Sequence, residues 1–154
     1  MPKTTTLEKL DIADIDGATV IIDIDGTITA DGQVAFSESV RSRIRELNSR
    51  NVVFVFSNHR DTARNAAVAT KLECPLIDTV HRKPSRKVLD DLPPYHRYRP
   101  LVVIGDKILV DGLFARRVGA RFIWVSRVES PSDRGVVKMS YFLDDLIAAV
   151  GTLW

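Results

Sequence analysis

Short apolar runs alternate with longer amphipathic stretches along this chain. Five of the runs are rich in β-branched residues, namely ATVIID, NVVFVFS, PLIDTV, PLVVIGD and ARFIWVS. Runs of this length and composition are typical of buried strands, whereas the stretches between them carry apolar residues at helical spacing. Strands that alternate with helices are typical of an α/β domain. We therefore predict a three-layer, Rossmann-like α/β fold around a central, mainly parallel five-stranded sheet.

The helix signal is strongest directly after the first run. In SESVRSRIRELNSR, Ser37 can cap a helix whose apolar face carries Val40, Ile44 and Leu47. Further helices are predicted in RDTARNAAVATKL, in PSRKVLDDL with Pro84 in its first turn, from about residue 108 to residue 118, and in YFLDDLIAAVGTLW. LPPYHRYRP and SRVESPSDRG are predicted to be loops because of their proline, serine and glycine content.

Length and composition limit the class of protein. A chain of 154 residues that is 45% hydrophobic has the size of one domain, which we place at residues 1 to 154. Charges of both signs are interspersed and the formal net charge is +2, so nucleic acid is not an obligatory partner. Cys74 is the only cysteine, and no apolar segment has the length of a signal-peptide core or a membrane span. These features predict a cytoplasmic protein.

The segment TVIIDIDGTIT places two acids where a buried strand ends. Asp23 and Asp25 are two residues apart and project to the same side of an extended chain. Two carboxylates this close repel each other unless a metal or a lysine lies beside them, or one acid stays protonated. Gly26 then allows a tight turn, and Thr27 supplies a hydroxyl and an amide. A solvated Asp-Gly turn is the simpler alternative for this segment.

Three other predicted strands also end in polar residues. Ser57 and Asn58 can hold an oxyanion at a helix N-terminus, and Lys83 can neutralise a phosphate or an aspartate. Asp106 follows the fourth strand and can complete the oxygen ligands of Mg²⁺, with Asp111 five residues further on. Each residue alone also fits a helix N-cap or a basic surface loop. Because parallel strands present their carboxyl ends at one edge, the four strand ends together favour a phosphoryl-transfer site.

These residues resemble the haloacid dehalogenase superfamily of aspartate-nucleophile phosphatases. The matching motifs are DIDGT, Ser57, Lys83 and GDKILVD, in this order and each after a strand. VFSNHRDTARNAA, HRKPS and VVIGDKILVDGLFARRVGARFIWV look like the small capless enzymes of subclass III, particularly the phosphatidylglycerophosphate phosphatase branch. Members of that branch usually carry asparagine where Gly26 stands and threonine where Val110 stands. The resemblance implies a sheet with strand order 5-4-1-2-3, no cap domain, and phosphomonoester hydrolase activity.

The resemblance also implies a role for each residue at the strand ends. Asp23 is the expected nucleophile that forms an aspartyl-phosphate, and Asp25 is the expected general acid and base. The expected cofactor is Mg²⁺, held by the Asp23 carboxylate, the backbone carbonyl of Asp25 and Asp106, with Asp111 orienting Asp106 or a metal-bound water. Lys83 is expected to offset negative charge during catalysis. The expected phosphate-binding residues are Gly26, Thr27, Ser57, Asn58 and Lys83.

The spacing of the motifs leaves no room for a cap domain. About thirty residues separate the first motif from the second, and about twenty-five separate the second from the third. The resemblance therefore implies an open site that is closed in a homo-oligomer or used on a large phosphorylated substrate, such as a lipid head group, a nucleic-acid end or a protein. Residues 28 to 35 look like the flap hairpin that this fold places beside the nucleophile.

Two other functions remain open. A receiver-type phospho-acceptor module also uses clustered aspartates, Mg²⁺ and a lysine, but its acceptor ends the third strand, whereas DIDGT follows the first. A non-catalytic protein could instead bind anionic lipid or RNA through the basic segment from 81 to 99, together with Arg116, Arg117 and Arg121, although such a protein has no need of Asp23. A basic rim would also suit peripheral contact with a membrane. Tyr95, Tyr98 and Trp154 are expected to pack against the protein.

Overall fold

The fold is built on a sheet of four parallel strands. A computed structural model describes residues 5 to 130 and 135 to 150 of the chain. The strands are β1 (Thr19–Asp23), β2 (Val52–Phe56), β3 (Leu101–Gly105) and β4 (Arg121–Trp124). They lie in the order β2-β1-β3-β4, and each neighbouring pair is parallel. The α/β class and the parallel sheet agree with the sequence prediction and are consistent with a Rossmann-like fold.

The predicted strand in PLIDTV is reduced to one isolated bridge. Leu76 pairs with Val55 of β2, through hydrogen bonds from Val55 N to Pro75 O and from Ile77 N to Val55 O, both 3.0 Å long. Proline has no N–H with which to extend this ladder, and the residues that directly follow Ile77 are exposed or only half-buried. In the part of the chain that the structure describes the sheet has four strands, so neither the prediction of five strands nor the order 5-4-1-2-3 is confirmed.

Helices cover the sheet and follow its strands. The α-helices are α1 (Glu38–Arg50), α2 (Thr62–Leu72), α3 (Leu113–Val118) and α4 (Gly135–Val150). Shorter 3₁₀ helices span Leu7–Lys9, Arg86–Asp91 and Pro94–Tyr98, and a π-helical segment, Ile108–Gly112, leads directly into α3. Each helix that follows a strand begins near the same edge of the sheet, where the carboxyl ends of the strands lie.

Local sequence explains where α1 and α2 begin. The Ser37 side chain accepts a hydrogen bond from Val40 N over 3.1 Å, which satisfies one free amide of the first turn. The apolar face predicted for α1, including Ile44 and Leu47, is buried. Asp61 caps α2 in the same way, by accepting a hydrogen bond from Arg64 N over 2.9 Å. The predictions for both helices are confirmed.

Several local predictions were wrong. Pro84 does not open a helix, since the 3₁₀ helix after it begins at Arg86, with Ser85 as its N-cap. Residues 28 to 35 form turns and irregular chain, with one isolated bridge from Thr29 to Asp25, instead of a hairpin. The proline-rich segment is not a plain loop, because it contains the 3₁₀ helix Pro94–Tyr98. Tyr98 was expected to pack but is 89% exposed. The Tyr95 side chain and Trp154 lie outside the described parts of the chain.

The hydrophobic core lies on both faces of the sheet. Val20 and Ile22 of β1 pack in one apolar cluster with Ile44 of α1 and Val68 of α2. Ile21 points to the opposite face and belongs to a second cluster. All five residues of β1 are buried, as expected for a central parallel strand that is covered on both faces. This burial fixes the position of the strand end that carries Asp23.

The end of β3 is shaped by a close contact between Gly105 and Asp111. Asp111 lies in the π-helical segment, and its side chain packs directly over the glycine. A Cβ atom at Gly105 would lie 2.4 Å from both Cγ and Oδ2 of Asp111. Real Cβ atoms do not approach other heavy atoms so closely, so only glycine allows both backbone segments to keep this arrangement.

Replacing Gly105 with alanine should therefore destabilise the protein. We expect Gly105→Ala to lower the free energy of unfolding by about 1–3 kcal/mol, because the added methyl group must displace the Asp111 side chain. Urea denaturation followed by circular dichroism measures this change. Gly135→Ala is the matched control, since its Cβ would meet no atom within 4 Å. A Gly105→Ala variant as stable as the control would contradict the contact.

Candidate active site

The strand ends bring the predicted residues to one edge of the sheet. Asp23 is the last residue of β1, Ser57 follows β2, and Asp106 follows β3. Lys83 reaches the same place from the loop beyond the isolated bridge at Leu76. The side chains of the site are buried, and Asp106 and Asp111 are 0% exposed. These groups, predicted from the sequence to lie at one edge, are adjacent in the structure, where Lys83 contacts Asp23 and Ser57 contacts Asp25.

Three carboxylates form a compact acidic cluster. Asp23, Asp106 and Asp111 each offer an oxygen, and these oxygens lie within 4.8 Å of one another. The Oδ1 atom of Asp106 accepts a hydrogen bond from the Thr27 hydroxyl over 3.3 Å, whereas its Oδ2 atom is buried without a hydrogen-bond donor among the described residues. A buried oxygen that lacks a donor fits a site for a cation. The cluster thus has the oxygen ligands that Mg²⁺ prefers.

The acidic cluster is electrostatically strained. Burial, with the neighbouring Asp111 charge, raises the pKa of Asp23 to about 6. Burial, together with the charges of Asp23 and Asp111, raises the pKa of Asp106 well above its ordinary value. Both shifts mean that the charged form of these acids is disfavoured where they stand. Additional positive charge at the cluster would relieve this strain.

Lys83 supplies one positive charge to the cluster. Its Nζ atom lies 2.6 Å from Asp23 Oδ1 and 2.5 Å from Asp111 Oδ1, so the ammonium bridges the two acids. Burial lowers the pKa of Lys83, but the two carboxylates outweigh this effect and raise it, which keeps the side chain charged. The Asn58 side chain holds the Lys83 backbone by two hydrogen bonds of 2.8 Å, one to the N–H and one to the carbonyl. Asn58 thus positions the lysine in this structure.

Asp25 lies outside the acidic cluster and binds an arginine that sequence analysis missed. Arg64 of α2 contacts both Asp25 oxygens, with Nη2 2.8 Å from Oδ1 and Nη1 3.0 Å from Oδ2. Gly32 N donates to Oδ1 over 2.9 Å, and the Ser57 hydroxyl donates to Oδ2. Burial raises the pKa of Asp25, but the hydrogen bonds from Ser57 and Gly32 and the Arg64 charge outweigh it, so the pKa is lowered. The carboxylate is therefore held in its charged form.

Arg64 left one signal in the sequence. It lies four residues before Val68 and eight before Leu72, on the face of α2 that is buried. A charged residue on an apolar helical face needs a buried partner. The arginine also donates from Nη2 to Thr29 Oγ1 over 2.9 Å and from Nε to Gln33 O over 2.7 Å. These contacts tie α2 to the turns after Asp25.

The other predicted phosphate-binding groups have partners within the protein. Ser57 Oγ donates to Asp25 and accepts a hydrogen bond from His59 N over 2.9 Å. Gly26 adopts a φ of 82° in the turn after Asp25, and its N–H donates to Thr29 O over 2.7 Å. Thr27 N donates to Ile24 O over 3.3 Å. These groups line the same edge as Asp23, but a bound phosphate would have to replace some of these hydrogen bonds.

Asp144 is a second residue that sequence analysis missed. It lies on α4, is 0% exposed, and accepts a hydrogen bond from Leu109 N over 2.9 Å through Oδ1. Burial raises the pKa of Asp144. The contact joins α4 to the π-helical segment that carries Asp111. In the sequence, LDDLI gave no sign of which acid faces the protein.

Comparison with known proteins identifies the family. A family model described as mitochondrial PGP phosphatase matches residues 4–128, which include every strand and every predicted site residue. Searches of curated proteins and of solved structures returned no match. In the part of the chain that the structure describes, no helix combines the length and the apolar character needed to cross a membrane. The chain therefore belongs to the mitochondrial PGP phosphatase family, whose members are phosphatases of the haloacid dehalogenase type.

Proposed function

We propose that this protein is a Mg²⁺-dependent phosphatase that hydrolyses a phosphomonoester through an aspartyl-phosphate on Asp23. The observation that carries the proposal is the buried contact of Asp23 with Lys83, beside Asp106 and Asp111. A buried carboxylate with a raised pKa beside a charged partner is common at catalytic sites, which supports this role for Asp23. Membership of a PGP phosphatase family supports a phosphorylated lipid, phosphatidylglycerophosphate, as the substrate.

Asp23 provides the nucleophile in this proposal. A carboxylate oxygen of Asp23 attacks phosphorus, and the bond between phosphorus and the leaving oxygen breaks, so that its electron pair stays on the leaving alcohol. Water then attacks the aspartyl-phosphate, releases inorganic phosphate and restores the carboxylate. Lys83 lies 2.6 Å from Asp23 Oδ1 and offsets the negative charge that gathers between the nucleophile and the phosphate.

Asp25 moves the protons in this proposal. Asp25 must first take up a proton, from solvent or from the bound phosphate; it gives that proton to the leaving oxygen in the first step and takes one from the attacking water in the second. The structure holds its carboxylate by Arg64, Gly32 and Ser57. When a phosphate oxygen accepts the hydrogen bond from the Ser57 hydroxyl, Asp25 loses one of the hydrogen bonds that lower its pKa. The same exchange would give Ser57 its predicted role as a phosphate ligand.

The cation site is assigned from the acidic cluster. Asp23 and Asp106, with the backbone carbonyl of Asp25, would hold Mg²⁺, and Asp111 would orient Asp106 or a bound water. The unpartnered Oδ2 atom of Asp106 is the observation that fits this assignment. When bound, the ion supplies positive charge beside the phosphate oxygens and the three acids.

The two alternative functions are less well supported. A receiver-type module would carry its phospho-acceptor after the third strand, whereas Asp23 ends β1, and the family match favours a phosphatase. A protein that only binds anions needs neither a buried nucleophile nor an acidic cluster. Binding of lipid and catalysis remain compatible, because a basic rim around the site would attract an anionic substrate.

Substitution of the nucleophile tests the reaction. We expect Asp23→Asn to lower kcat for 4-nitrophenyl phosphate with Mg²⁺ by about 1,000-fold or more, since the amide lacks the nucleophilic oxygen charge. The variant should keep its fold by circular dichroism, because the two side chains are nearly equal in volume. Asp16→Asn, at an exposed aspartate, is the matched control and should keep full activity. Turnover by Asp23→Asn near that of the control would remove Asp23 as the nucleophile.

Magnesium should stabilise the protein more strongly as pH rises. The pKa of Asp23 is raised from 3.8 to about 6 by burial, so ionisation of the folded protein costs stability as pH rises across this interval. Mg²⁺ binds the ionised carboxylates and offsets that cost, so the Mg²⁺-induced rise in Tm should be larger at about pH 7.5 than at about pH 5.

Differential scanning fluorimetry with millimolar Mg²⁺ measures this shift without relying on activity. Asp106→Asn should abolish most of the rise in Tm, whereas Asp16→Asn should keep it. A rise of equal size at both pH values, or an undiminished rise in Asp106→Asn, would show that the ion binds elsewhere.

A further inference from the structure

A groove opens beside the candidate active site. Its volume is about 610 Å³, and two segments of chain form most of it, residues 57 to 62 before and at the start of α2 and residues 78 to 82 after the isolated bridge. Ser57 and Asn58 belong both to the groove and to the site, since Ser57 contacts Asp25 and Asn58 holds the Lys83 backbone. The groove is thus continuous with the position where the phosphate would lie.

The groove is lined by two arginines whose side chains make no polar contact with the residues that the structure describes. Arg60 and Arg82 both line it and are exposed, and neither forms a hydrogen bond or an ion pair through its side chain with any residue that the structure describes. By contrast, Arg64 and Arg97 are committed to Asp25 and to backbone carbonyls. A guanidinium group can bind two oxygens of a phosphate at once, so a pair of uncommitted arginines suits an anionic ligand.

Other polar groups in the groove indicate which chemical groups a ligand would carry. Asp78 and Asp91 also line it, so its arginine and aspartate charges balance and it would not attract a simple polyanion. Carboxylates accept hydrogen bonds from hydroxyl groups, and His59 and His81 add further polar contacts. A ligand that combines one anionic group with a free hydroxyl fits this lining better than either group alone.

The position of the groove beside the active site indicates which part of the substrate it would bind. Ser57 lines the groove and donates a hydrogen bond to Asp25, the residue that protonates the leaving oxygen in the proposed reaction. We propose that the groove binds the leaving alcohol of the substrate, and that Arg60 and Arg82 bind a second anionic group on that alcohol, a phosphodiester. This inference rests on the proposed phosphatase function, and it makes the two arginines specificity residues that are not required for the chemical step.

A comparison of substrates tests the assignment. Glycerophosphoglycerol phosphate carries the monoester, a hydroxyl and a phosphodiester in a soluble form, whereas 4-nitrophenyl phosphate carries only the monoester. We expect Arg60→Gln and Arg82→Gln each to lower the ratio of kcat/KM for the first substrate to that for the second by about tenfold, and the double variant by more. Arg99→Gln, at an exposed arginine outside the groove, should leave the ratio unchanged.

A second measurement does not depend on turnover of the larger substrate. Glycerophosphoglycerol, which has the phosphodiester but no monoester, should inhibit hydrolysis of 4-nitrophenyl phosphate competitively. Its inhibition constant should rise about tenfold in Arg82→Gln and stay unchanged in Arg99→Gln. The phosphatidyl form of the substrate in vesicles of neutral lipid completes the set, because it separates recognition of the head group from attraction to a lipid surface.

Each outcome decides between the claims. If the wild-type protein hydrolyses 4-nitrophenyl phosphate but the ratio and the inhibition constant do not change in either variant, the groove assignment fails and the proposed function stands. If the variants lose rate only with substrate in vesicles, the arginines bind a lipid surface and the groove assignment also fails. If the wild-type protein hydrolyses neither soluble substrate with Mg²⁺, the proposed function fails and the groove assignment fails with it.

Discussion

The whole arrangement depends on one buried ammonium group held between two carboxylates. Lys83 lies within 2.6 Å of Asp23 and 2.5 Å of Asp111, in a place where burial raises the pKa of Asp23 and of Asp106. Without that charge the acids could not remain ionised side by side at the edge of a hydrophobic core. With it, the cluster still holds more acids than bases, which leaves Asp106 able to accept a cation. The balance between acids and bases at this edge is thus both a structural constraint and the origin of the proposed chemistry.

The fold supplies this balance through the geometry of a parallel sheet. The apolar residues of β1 and β3 fix two neighbouring strands, and their carboxyl ends deliver Asp23 and Asp106 to one place. Gly105 has no side chain, so Asp111 can approach β3 more closely than it could if a larger residue stood at position 105. On the other side, Arg64 and Ser57 satisfy Asp25 separately, so the two aspartates of the DIDGT segment experience opposite environments. Asp23 has a raised pKa and Asp25 a lowered pKa, so the proposed reaction needs a bound cation that favours ionised Asp23 and loss of the Ser57 hydrogen bond that favours protonated Asp25.

The sequence alone was sufficient for features that depend on hydrophobic periodicity and on the alternation of strands with helices. It was insufficient for features that depend on contacts between residues far apart in the chain. The placement of Asp23, Lys83 and Asp106 at one edge followed from strands that alternate with helices. The sequence did not show that PLIDTV forms only one bridge to β2 and no full strand. Pairing at a sheet edge depends on the backbone path after Pro75, which the residue pattern does not specify. Arg64 was missed because its charged partner, Asp25, lies 39 residues away in the chain. Asp144 was missed because its partner, Leu109, lies in a π-helical segment, and the hydrophobic pattern of the sequence does not predict such a segment.

The central claim is that the acidic cluster holds a nucleophile, and the covalent intermediate is its most direct evidence. Turnover of a phosphomonoester with Mg²⁺ can be quenched in acid, reduced with borohydride and analysed by peptide mass spectrometry, since borohydride converts an aspartyl-phosphate to homoserine. The account predicts homoserine at position 23 and unmodified aspartate at positions 25, 106 and 111. Homoserine at another of these positions, or none in a sample trapped during steady turnover, would contradict it.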